Sequence, residues 1–266
     1  MQPRLDNFVV KSGRSTPRYT GRKKAFSFFD PTGCGVRAWA LRGYDCVAID
    51  ANPETDSAPG SVKIVKRSID STVAIRRFLK RHSGDVAFCC ALPPCKDLCS
   101  VGARYWKKKD EAYKMLHGSD ADFQKDAVQR LKSIYSTLRG TGAPFFIAIP
   151  ANPIVKKHWR PPDLVFSPYE YGAYISAPDI HPVHHEIVPP RDAYKKRTFL
   201  FIGNGLKLPH RNSVDPVKVT IRLRDGTTKA VCPLLAKRNR KHARRLLPRG
   251  LCEAIAQIHA SDLIIH

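Results

Sequence analysis

A chain of 266 residues in which 42% of the side chains are hydrophobic is long enough to bury a large core and too apolar to be disordered throughout. Its 46 Lys and Arg residues outnumber 23 Asp and Glu residues and give a net charge of +23. This charge favours a polyanionic partner, nucleic acid before an anionic membrane surface. No run of about 18 apolar residues is present to cross a bilayer, so we expect no membrane partner.

The cysteines indicate a reducing environment. Eight are present, and most fall within predicted strands and helices of a long chain that begins without a secretory-signal pattern, so we expect an intracellular setting. A zinc site is the alternative, with Cys95 and Cys99 joined by His181, His184 and His185. Because no CxxC pair occurs and the histidines lie in a proline-rich stretch, we expect no metal.

The first predicted unit is a strand, a glycine-rich turn and a helix. Residues 25–29 form a short apolar run, the sequence Asp-Pro-Thr-Gly-Cys-Gly occupies 30–35, and a helical pattern follows over 36–42. In such a unit the backbone N–H groups and the helix N-terminus can meet a nucleotide-like ligand. Gly33 and Gly35 would permit its close approach.

Asp50 ends the second predicted strand, which spans 44–49. It stands about twenty residues beyond the first strand, where such folds place a carboxylate that binds ribose hydroxyls. A plain strand-end cap is the alternative interpretation of this residue. A third strand at 62–65, a helix at 73–80 and a fourth strand at 86–91 continue the alternation, which predicts a parallel, Rossmann-like sheet.

Two prolines and Cys95 follow the fourth strand. Prolines cannot continue a strand ladder, and ligands of open α/β sheets bind outside the carboxyl ends of the strands. A thiol held there by Pro93 and Pro94 is therefore a candidate nucleophile. On the residues alone, a buried cysteine that packs as a small hydrophobic side chain is the other interpretation.

The rest of the chain is predicted to contain a long helix, two more strands, a hairpin and a closing helix. The helix runs from a cap at Ser119 to about Arg139, the strands are 145–149 and 197–202, the hairpin spans 217–232 around Asp225-Gly226, and the closing helix is 251–260. A dense basic run, KRNRKHARR, precedes that helix at 237–245.

The order of these motifs resembles DNA (cytosine-5)-methyltransferases, and among them the compact members found in phage genomes. The resemblance rests on FFDPTGCG, Asp50, Pro-Pro-Cys95 followed by SVGARYW, ANP and a late strand with an arginine. It continues through NPIVKKHWRPPD (152–163), SPYEYGAY (167–174), AYKKRTFLF (193–201) and PRGLCEAIAQIHA (248–260). It spans most of residues 25–260, with 175–192 and 206–247 poorly matched.

The resemblance implies an S-adenosylmethionine-dependent enzyme with a Rossmann-like α/β fold, a mostly parallel sheet and a small loop and hairpin region for recognition. Its partner would be duplex DNA with the target base flipped out, and Cys95 would add to C6 so that C5 takes the methyl group. Arg197 would position the flipped base or a phosphate, and Asn152 belongs to the catalytic set. The implied cofactor contacts are Phe29, Gly33 and Gly35 for the methionine part, Asp50 for the ribose, Asp70 for the adenine edge, and Leu92.

Ala151 departs from the family pattern. The motif Ala-Asn-Pro normally begins with Glu, whose carboxyl group hydrogen-bonds N3 and the exocyclic amine of cytosine, and alanine can do neither. We therefore expect an inactivated enzyme, a different base, or a substitute carboxylate, for which Glu170 and Glu186 are candidates. A DNA-binding relative without turnover is the alternative function.

An amino-methyltransferase is the third hypothesis. At its strand end such an enzyme carries a polar residue, two prolines and an aromatic residue, whereas this chain has Leu92 and Cys95 around its prolines. The predicted organisation is a basic, flexible arm at 1–24, a catalytic domain at 25–205, a basic hairpin region for target recognition at 206–247, and a C-terminal helix at 248–266 that packs back on the catalytic domain. We expect a monomer that reads a short or relaxed site.

Overall fold

Strands and helices alternate over much of residues 23–150, with two departures from the predicted order: the strands 45–50, 57–58 and 62–66 follow one another without a helix between them, and the helices 106–117 and 123–139 are consecutive. The computed structural model describes residues 23–58, 61–69, 72–82, 85–98, 100–222, 225–236 and 245–260. Four features named above lie outside these ranges: Asp70, Cys99, nearly all of the basic arm, and nearly all of the basic run before the closing helix.

Ten strands and seven helices are assigned within the described residues. The strands are β1 (Lys24–Phe28), β2 (Asp45–Asp50), β3 (Ser57–Ala58), β4 (Val62–Lys66), β5 (Val86–Ala91), β6 (Phe145–Pro150), β7 (Leu164–Phe166), β8 (Thr198–Gly203), β9 (Val219–Arg222) and β10 (Thr228–Val231). The helices are α1 (Cys34–Ala40), α2 (Thr72–Lys80), α3 (Trp106–His117), α4 (Phe123–Arg139), α5 (Pro153–His158), α6 (Pro233–Ala236) and α7 (Arg249–His259). Three short 3₁₀ helices span Ser100–Tyr105, Pro168–Tyr174 and Pro190–Asp192.

Eight strands form one sheet in the order β3-β4-β2-β1-β5-β6-β8-β7. The central strands β4, β2, β1, β5 and β6 run parallel to one another, whereas β8 runs antiparallel to both of its neighbours. The predicted Rossmann-like α/β fold with a mostly parallel sheet is therefore confirmed. The predicted hairpin is also present, as β9 and β10 pair antiparallel in a separate two-stranded sheet.

The central strands bury both of their faces, because side chains alternate along each strand. In β1, Ala25 packs on one face, with α1 and α7, and Phe26 and Phe28 pack on the other, with α2 and α4. In β5, Phe88 and Cys89 divide between the two faces in the same way. Layers of helix on either side of the sheet leave the carboxyl ends of the parallel strands as the open edge.

The long helix α4 begins later than the sequence suggests. Its N-cap is Asp122, whose side chain accepts hydrogen bonds from the backbone N–H groups of Gln124 and Lys125 at 2.8 and 3.0 Å. Ser119 lies before this cap, where its hydroxyl contacts Asp120. Both residue types are good N-caps. The helix begins directly after Asp122, and this start buries Phe123, its first residue.

The closing helix α7 is present as predicted and packs closely on the preceding chain. A Cβ atom at Gly250 would lie 2.3 Å from the carbonyl oxygen of Tyr171, so only glycine permits this approach. Arg249, at the start of the helix, is buried and forms ion pairs with Asp179 and Asp192 at 2.7 and 2.9 Å. These contacts hold the end of the chain against the 3₁₀ segments that precede β8.

Candidate active site

The order of the strands defines where a ligand is expected. β1 lies between β2 and β5; from β1 the chain builds one half of the sheet through β2 and β4, and it returns to the other side of β1 at β5. The crevice outside the carboxyl ends of the strands at such a switch point is where ligands of open α/β sheets bind. Phe29 follows β1 directly, and Cys95 follows β5 after three residues.

A cleft of about 740 Å³ opens at this switch point, within the size range of small-molecule sites. Phe29 and Cys95 both line it, together with Ile69, the residue before Asp70. Its walls come from the end of β1, the start of α2, the segment after β5, and α4. The lining from α4 includes Asp126, Ala127, Gln129, Arg130, Leu131, Ser133 and Ile134.

Cys95 is half-buried and packs against the core layer that contains α2 and α4. Pro93 and Pro94 line the cleft beside it, so the prolines stiffen the wall from which the thiol projects. Leu92, by contrast, packs in the opposite core layer, and its backbone N–H donates to the carbonyl of Phe28 at 3.0 Å. Its backbone thus ties β5 to β1, and its side chain lies away from the cleft.

Burial distinguishes Cys95 from most of the other cysteines. Burial raises the pKa of the Cys34 and Cys46 thiols to about 12 and also holds the pKa values of Cys89, Cys90 and Cys252 above their ordinary value. A thiol must ionise to act as a nucleophile. These five buried residues therefore pack as small hydrophobic side chains, the interpretation that sequence alone left open for Cys95.

Asp97 is a buried charge of the cleft that sequence analysis did not single out. Its carboxylate pairs with Lys109 of α3 and with Arg130 of α4, the latter at 3.4 Å. One carboxylate therefore connects the segment after Cys95 to both helices. Its position two residues after Cys95 was visible in the sequence, but no pattern indicates which cations it meets.

The glycine-rich turn is organised by Asp30, whose side chain is fully buried. Its carboxylate accepts hydrogen bonds from the backbone N–H groups of Thr32, Gly33 and Gly35 at 3.1, 3.0 and 2.8 Å. It also accepts from the hydroxyls of Ser27 and Thr32 at 2.7 and 3.0 Å. The amide groups that the sequence predicts for the cofactor are thus used by a carboxylate of the chain itself.

Gly35 is explained by packing. A Cβ atom there would lie 2.6 Å from the side chains of Leu247 and Ser27 and 2.8 Å from that of Cys90. Gly33 is explained by backbone conformation, since it caps α1 with a φ of 71°, in the left-handed region that glycine tolerates best. Neither glycine lines the cleft that holds Cys95.

Asp50 ends β2 and is almost completely buried. One carboxylate oxygen accepts from the backbone N–H of Asn52 at 2.7 Å, and the other pairs with the guanidinium of Arg245, which is 39% exposed. Asp50 thus serves as a strand-end cap, the alternative interpretation, and also carries an ion pair. Any ribose hydroxyl would have to compete with Arg245 for this carboxylate.

Ala151, Asn152 and Arg197 form a third group, at the end of β6. Asn152 is buried and caps α5, because its side-chain oxygen accepts from the backbone N–H of Ile154 at 2.7 Å. The backbone N–H of Ala151 donates to the carbonyl of Arg197 at 2.9 Å, and the Arg197 residue is exposed. Ala151 packs against the same core layer as Cys95.

The two suggested substitute carboxylates lie elsewhere. Glu170 belongs to a capping box with Ser167, whose backbone N–H donates to it at 2.9 Å, and it also pairs with Arg211 at 2.9 Å. Glu186 is an exposed residue of the proline-rich segment that precedes β8. Neither residue lines the cleft, whose acidic side chains are Asp97 and Asp126.

The histidines of the alternative zinc site are used in other ways. The Nδ1 atom of His181 accepts from the backbone N–H groups of Val183 and His184 at 3.2 and 2.9 Å, and His184 pairs with Glu54. Within the described ranges no cluster of three or more His, Cys, Asp or Glu side chains could hold a metal ion. In the same part of the chain, no helix has the length and hydrophobicity needed to span a membrane.

Comparisons with known proteins add a likeness in fold. No protein-family profile matches the chain, and no curated protein matches it. One similar solved structure comes from an E. coli prophage and is described as a candidate DNA modification methyltransferase, with 14% sequence identity and a TM-score of 0.41. The match covers 73% of this chain and 52% of that one, so this chain spans about half the length of that structure.

Proposed function

We propose that this chain is an S-adenosylmethionine-dependent DNA methyltransferase that modifies C5 of cytosine through Cys95. The observation that carries the proposal is the place of this thiol, half-buried in the cleft at the switch point of the sheet. A ligand-binding crevice and a nucleophilic residue type coincide there, and the net charge of +23 suits a nucleic-acid substrate.

The cleft fits part of the cofactor and requires a change for the rest. In the cleft, Ile69 offers apolar surface for the adenine and Phe29 for the methionine part; outside the cleft, Asp50 could accept the ribose hydroxyls once Arg245 leaves it. The turn amides bonded by Asp30 are not available to the methionine carboxylate unless that residue moves. When bound, S-adenosylmethionine would supply an electrophilic methyl group and keep the electron pair of the broken S–CH3 bond, so that it would leave as S-adenosylhomocysteine.

The chemistry assigned to the chain begins at Cys95. Its thiolate forms a bond to C6 of the flipped cytosine, and the electron pair of the C5–C6 double bond becomes available at C5 for the methyl group. After methyl transfer, a proton acceptor removes the C5 proton. The C6–S bond then breaks, which regenerates the C5–C6 double bond of the cytosine and the thiolate of Cys95. Arg197 is assigned to donate hydrogen bonds to the target base or a neighbouring phosphate; its exposure and the backbone hydrogen bond that joins it to Ala151 support this role.

Ala151 lowers the expected rate, because attack at C6 is assisted by a proton at N3 and a methyl side chain cannot supply one. Loss of such general acid assistance costs about 10²–10⁴ in rate. This residue favours a second candidate function, a relative that binds DNA and cofactor without turnover. The partial burial of Ala151 against the core layer beneath Cys95 suits either function.

The test is methyl transfer from methyl-labelled S-adenosylmethionine to duplex DNA, followed by nucleoside analysis. We expect slow formation of 5-methylcytosine that is lost in Cys95→Ser and kept in Cys232→Ser, a half-buried cysteine in a separate core cluster. Label on an exocyclic amine, or full activity without Cys95, would contradict the proposal. Activity that appears only in Ala151→Glu would favour the second candidate.

A further inference from the structure

The helix α2 has one buried side and one charged side. Ile75 and Leu79 are buried in the same core layer as Phe26 and Phe28 of β1. Because they are four residues apart, they share one face of the helix, and this face packs on the sheet. Arg77 lies two residues from each of them, which is about 200° around the helix axis, so it projects from the opposite side.

Four exposed cations lie together on α2 and the turn that ends it. They are Arg76, Arg77, Lys80 and Arg81, which we term the α2 cations. Arg81 continues the last turn of the helix, because its backbone N–H donates to the carbonyl of Phe78 at 3.1 Å. Residues three or four apart are neighbours on a helix, so Arg77 lies beside both Lys80 and Arg81. The four cations therefore form one basic surface.

The chain supplies no carboxylate for this surface. Residues 72–82 contain no Asp or Glu, and neither Arg77 nor Arg81 forms an ion pair with any described residue. Arg211, another exposed arginine, is by contrast paired with Glu170 at 2.9 Å. Like charges four residues apart destabilise a helix, and a bound anion would remove that repulsion. The surface is therefore suited to an anionic partner.

Lys63 adds a cation on the same side of the sheet. It is an exposed residue of β4, next to the two-residue edge strand β3. Val65 of β4 packs in the core layer that contains α2, and Ile64 packs in the other layer. Because side chains alternate along a strand, Lys63 lies on the same side as Val65. The basic character of this side thus includes the edge of the sheet.

The α2 cations lie outside the cleft that holds Cys95. Thr72, the first residue of α2, lines this cleft, whereas none of the α2 cations does. From Thr72 to Lys80 the helix runs about 12 Å, at about 1.5 Å per residue. Phosphates of one DNA strand follow one another at about 3.4 Å along the duplex axis, so this length corresponds to about three or four phosphates.

We propose that the α2 cations bind the phosphate backbone of duplex DNA outside the catalytic cleft. Arginine suits this role, because its planar guanidinium donates two parallel hydrogen bonds to a phosphate. Phosphate contacts carry no sequence information, so this surface holds DNA whether or not a target base occupies the cleft. The proposed reaction uses none of these residues, but the identification of the anion as DNA rests on the proposed function.

The experiment measures cofactor-free DNA binding by fluorescence anisotropy of a labelled duplex at several salt concentrations. All proteins carry Cys95→Ser so that no covalent adduct forms. Arg77→Ala with Arg81→Ala is expected to reduce the slope of log affinity against log salt by about 1.8 in magnitude, at about 0.9 per phosphate contact. Alanine is a strong helix former, so α2 should persist, and circular dichroism checks this.

Two further variants make the result specific to this surface. Arg77→Lys with Arg81→Lys keeps both charges and should keep the slope. The matched control is Arg42→Ala with Lys207→Ala, which removes two cations beside α7 in the opposite helix layer and should leave the slope nearly unchanged.

Three results would overturn the proposal. The first is an unchanged slope in the alanine pair, and the second is an equal change in the control pair. The third is a loss in the lysine pair as large as in the alanine pair, since charge would then not be the cause. If the alanine pair binds DNA like the parent protein but loses binding to vesicles that contain phosphatidylserine, the surface belongs to a membrane and the proposal is also overturned.

Binding and methylation can fail separately. With Cys95 restored, the alanine pair should raise KM for DNA and keep kcat, because no α2 cation lines the cleft. If the slope falls as predicted but no methyl transfer is detected in any protein, the DNA-binding surface stands and the proposed reaction fails. If methyl transfer is normal and the slope is unchanged, the reaction stands and the proposal for α2 fails.

Discussion

At the glycine-rich turn, the carboxylate of Asp30 accepts five hydrogen bonds from residues between Ser27 of β1 and Gly35 of α1, and the carboxylate of Asp50 is paired with Arg245. At the cleft, a few residues away across the same sheet edge, Cys95 lines open space and the helix after it buries none of its side chains. At the turn and at Asp50, the carboxylates are hydrogen-bonded or ion-paired with other groups of the protein. At the cleft, Cys95 borders space that a ligand can occupy. If the proposed function holds, the cofactor must displace groups of the protein at the glycine-rich turn and at Asp50, whereas the substrate need not displace any at Cys95.

The largest expected effect concerns the cleft. Ala151→Glu introduces a carboxyl group beside the carbonyl of Arg197, and if the proposed reaction holds it should raise the rate of 5-methylcytosine formation by about 10²–10⁴. Labelled methyl transfer under single-turnover conditions checks it. Ala151→Gln is the control, since it has the size of glutamate but cannot donate a proton in the same way. Equal rates for the Glu, Gln and parent proteins would show that no acid is missing at this place.

The difference in burial between the cysteines of the cleft and those near the glycine-rich turn can be tested with a thiol reagent. At pH 8 a thiol with a pKa of about 12, as for Cys34 and Cys46, is ionised in only about one molecule in 10⁴. Iodoacetamide should therefore modify the half-buried Cys95 and Cys232 long before these two residues. Peptide mass spectrometry over time measures the order. Early modification of Cys34 would mean that the glycine-rich turn opens readily.

The tight packing around the glycine-rich turn predicts that Gly35→Ala lowers the free energy of unfolding. The added methyl group would overlap Leu247, Ser27 and Cys90, and overpacking of this kind costs about 1–3 kcal/mol of unfolding free energy. Urea denaturation measures the change. Gly140→Ala is the control because its Cβ atom would meet its nearest neighbour at 3.4 Å and should alter stability little. A fully stable Gly35→Ala protein would show that this region is looser than described.

The smallest effect concerns Arg245. Arg245→Gln removes the partner of Asp50. The carboxylate is buried but Arg245 is partly exposed to water, so we expect the pair to contribute about 1 kcal/mol, the upper end for solvent-exposed pairs, and the affinity for S-adenosylmethionine to rise about 5-fold. Titration calorimetry measures it. Arg42→Gln is the matched control, since Arg42 forms a half-exposed ion pair with Glu253 of α7. Weaker cofactor binding in Arg245→Gln would mean that Arg245 assists the cofactor rather than competes with it.

Local patterns accounted for the centre of the fold. The strands β1, β5 and β6 lie in short apolar runs (25–29, 86–91 and 145–149), each followed within two residues by a proline, and this pattern is typical of a fully buried strand. The helix α3 could not be predicted in this way, because helix prediction depends on an apolar stripe and none of its residues is buried. The three-residue strand β7 is too short to carry a pattern.

Patterns also located the thiol but not its surroundings. Pro93, Pro94 and Cys95 are consecutive, so their place at a strand end could be inferred from sequence. The pair Asp50–Arg245 joins residues 195 positions apart, and the cations around Asp97 come from two different helices. Such contacts are made by the tertiary fold, and no spacing in the chain indicates them.

The most direct test of the account is covalent trapping at Cys95. The protein is incubated with S-adenosylmethionine and duplex DNA in which cytosine is replaced by 5-fluorocytosine, whose C5 fluorine cannot leave as a proton does. We predict a protein–DNA adduct that resists denaturation and that mass spectrometry assigns to Cys95. Ala151→Glu should increase the amount of this adduct, and Cys95→Ser should abolish it. An adduct on another cysteine, or 5-methylcytosine formed from ordinary DNA without any adduct on the analogue, would contradict it.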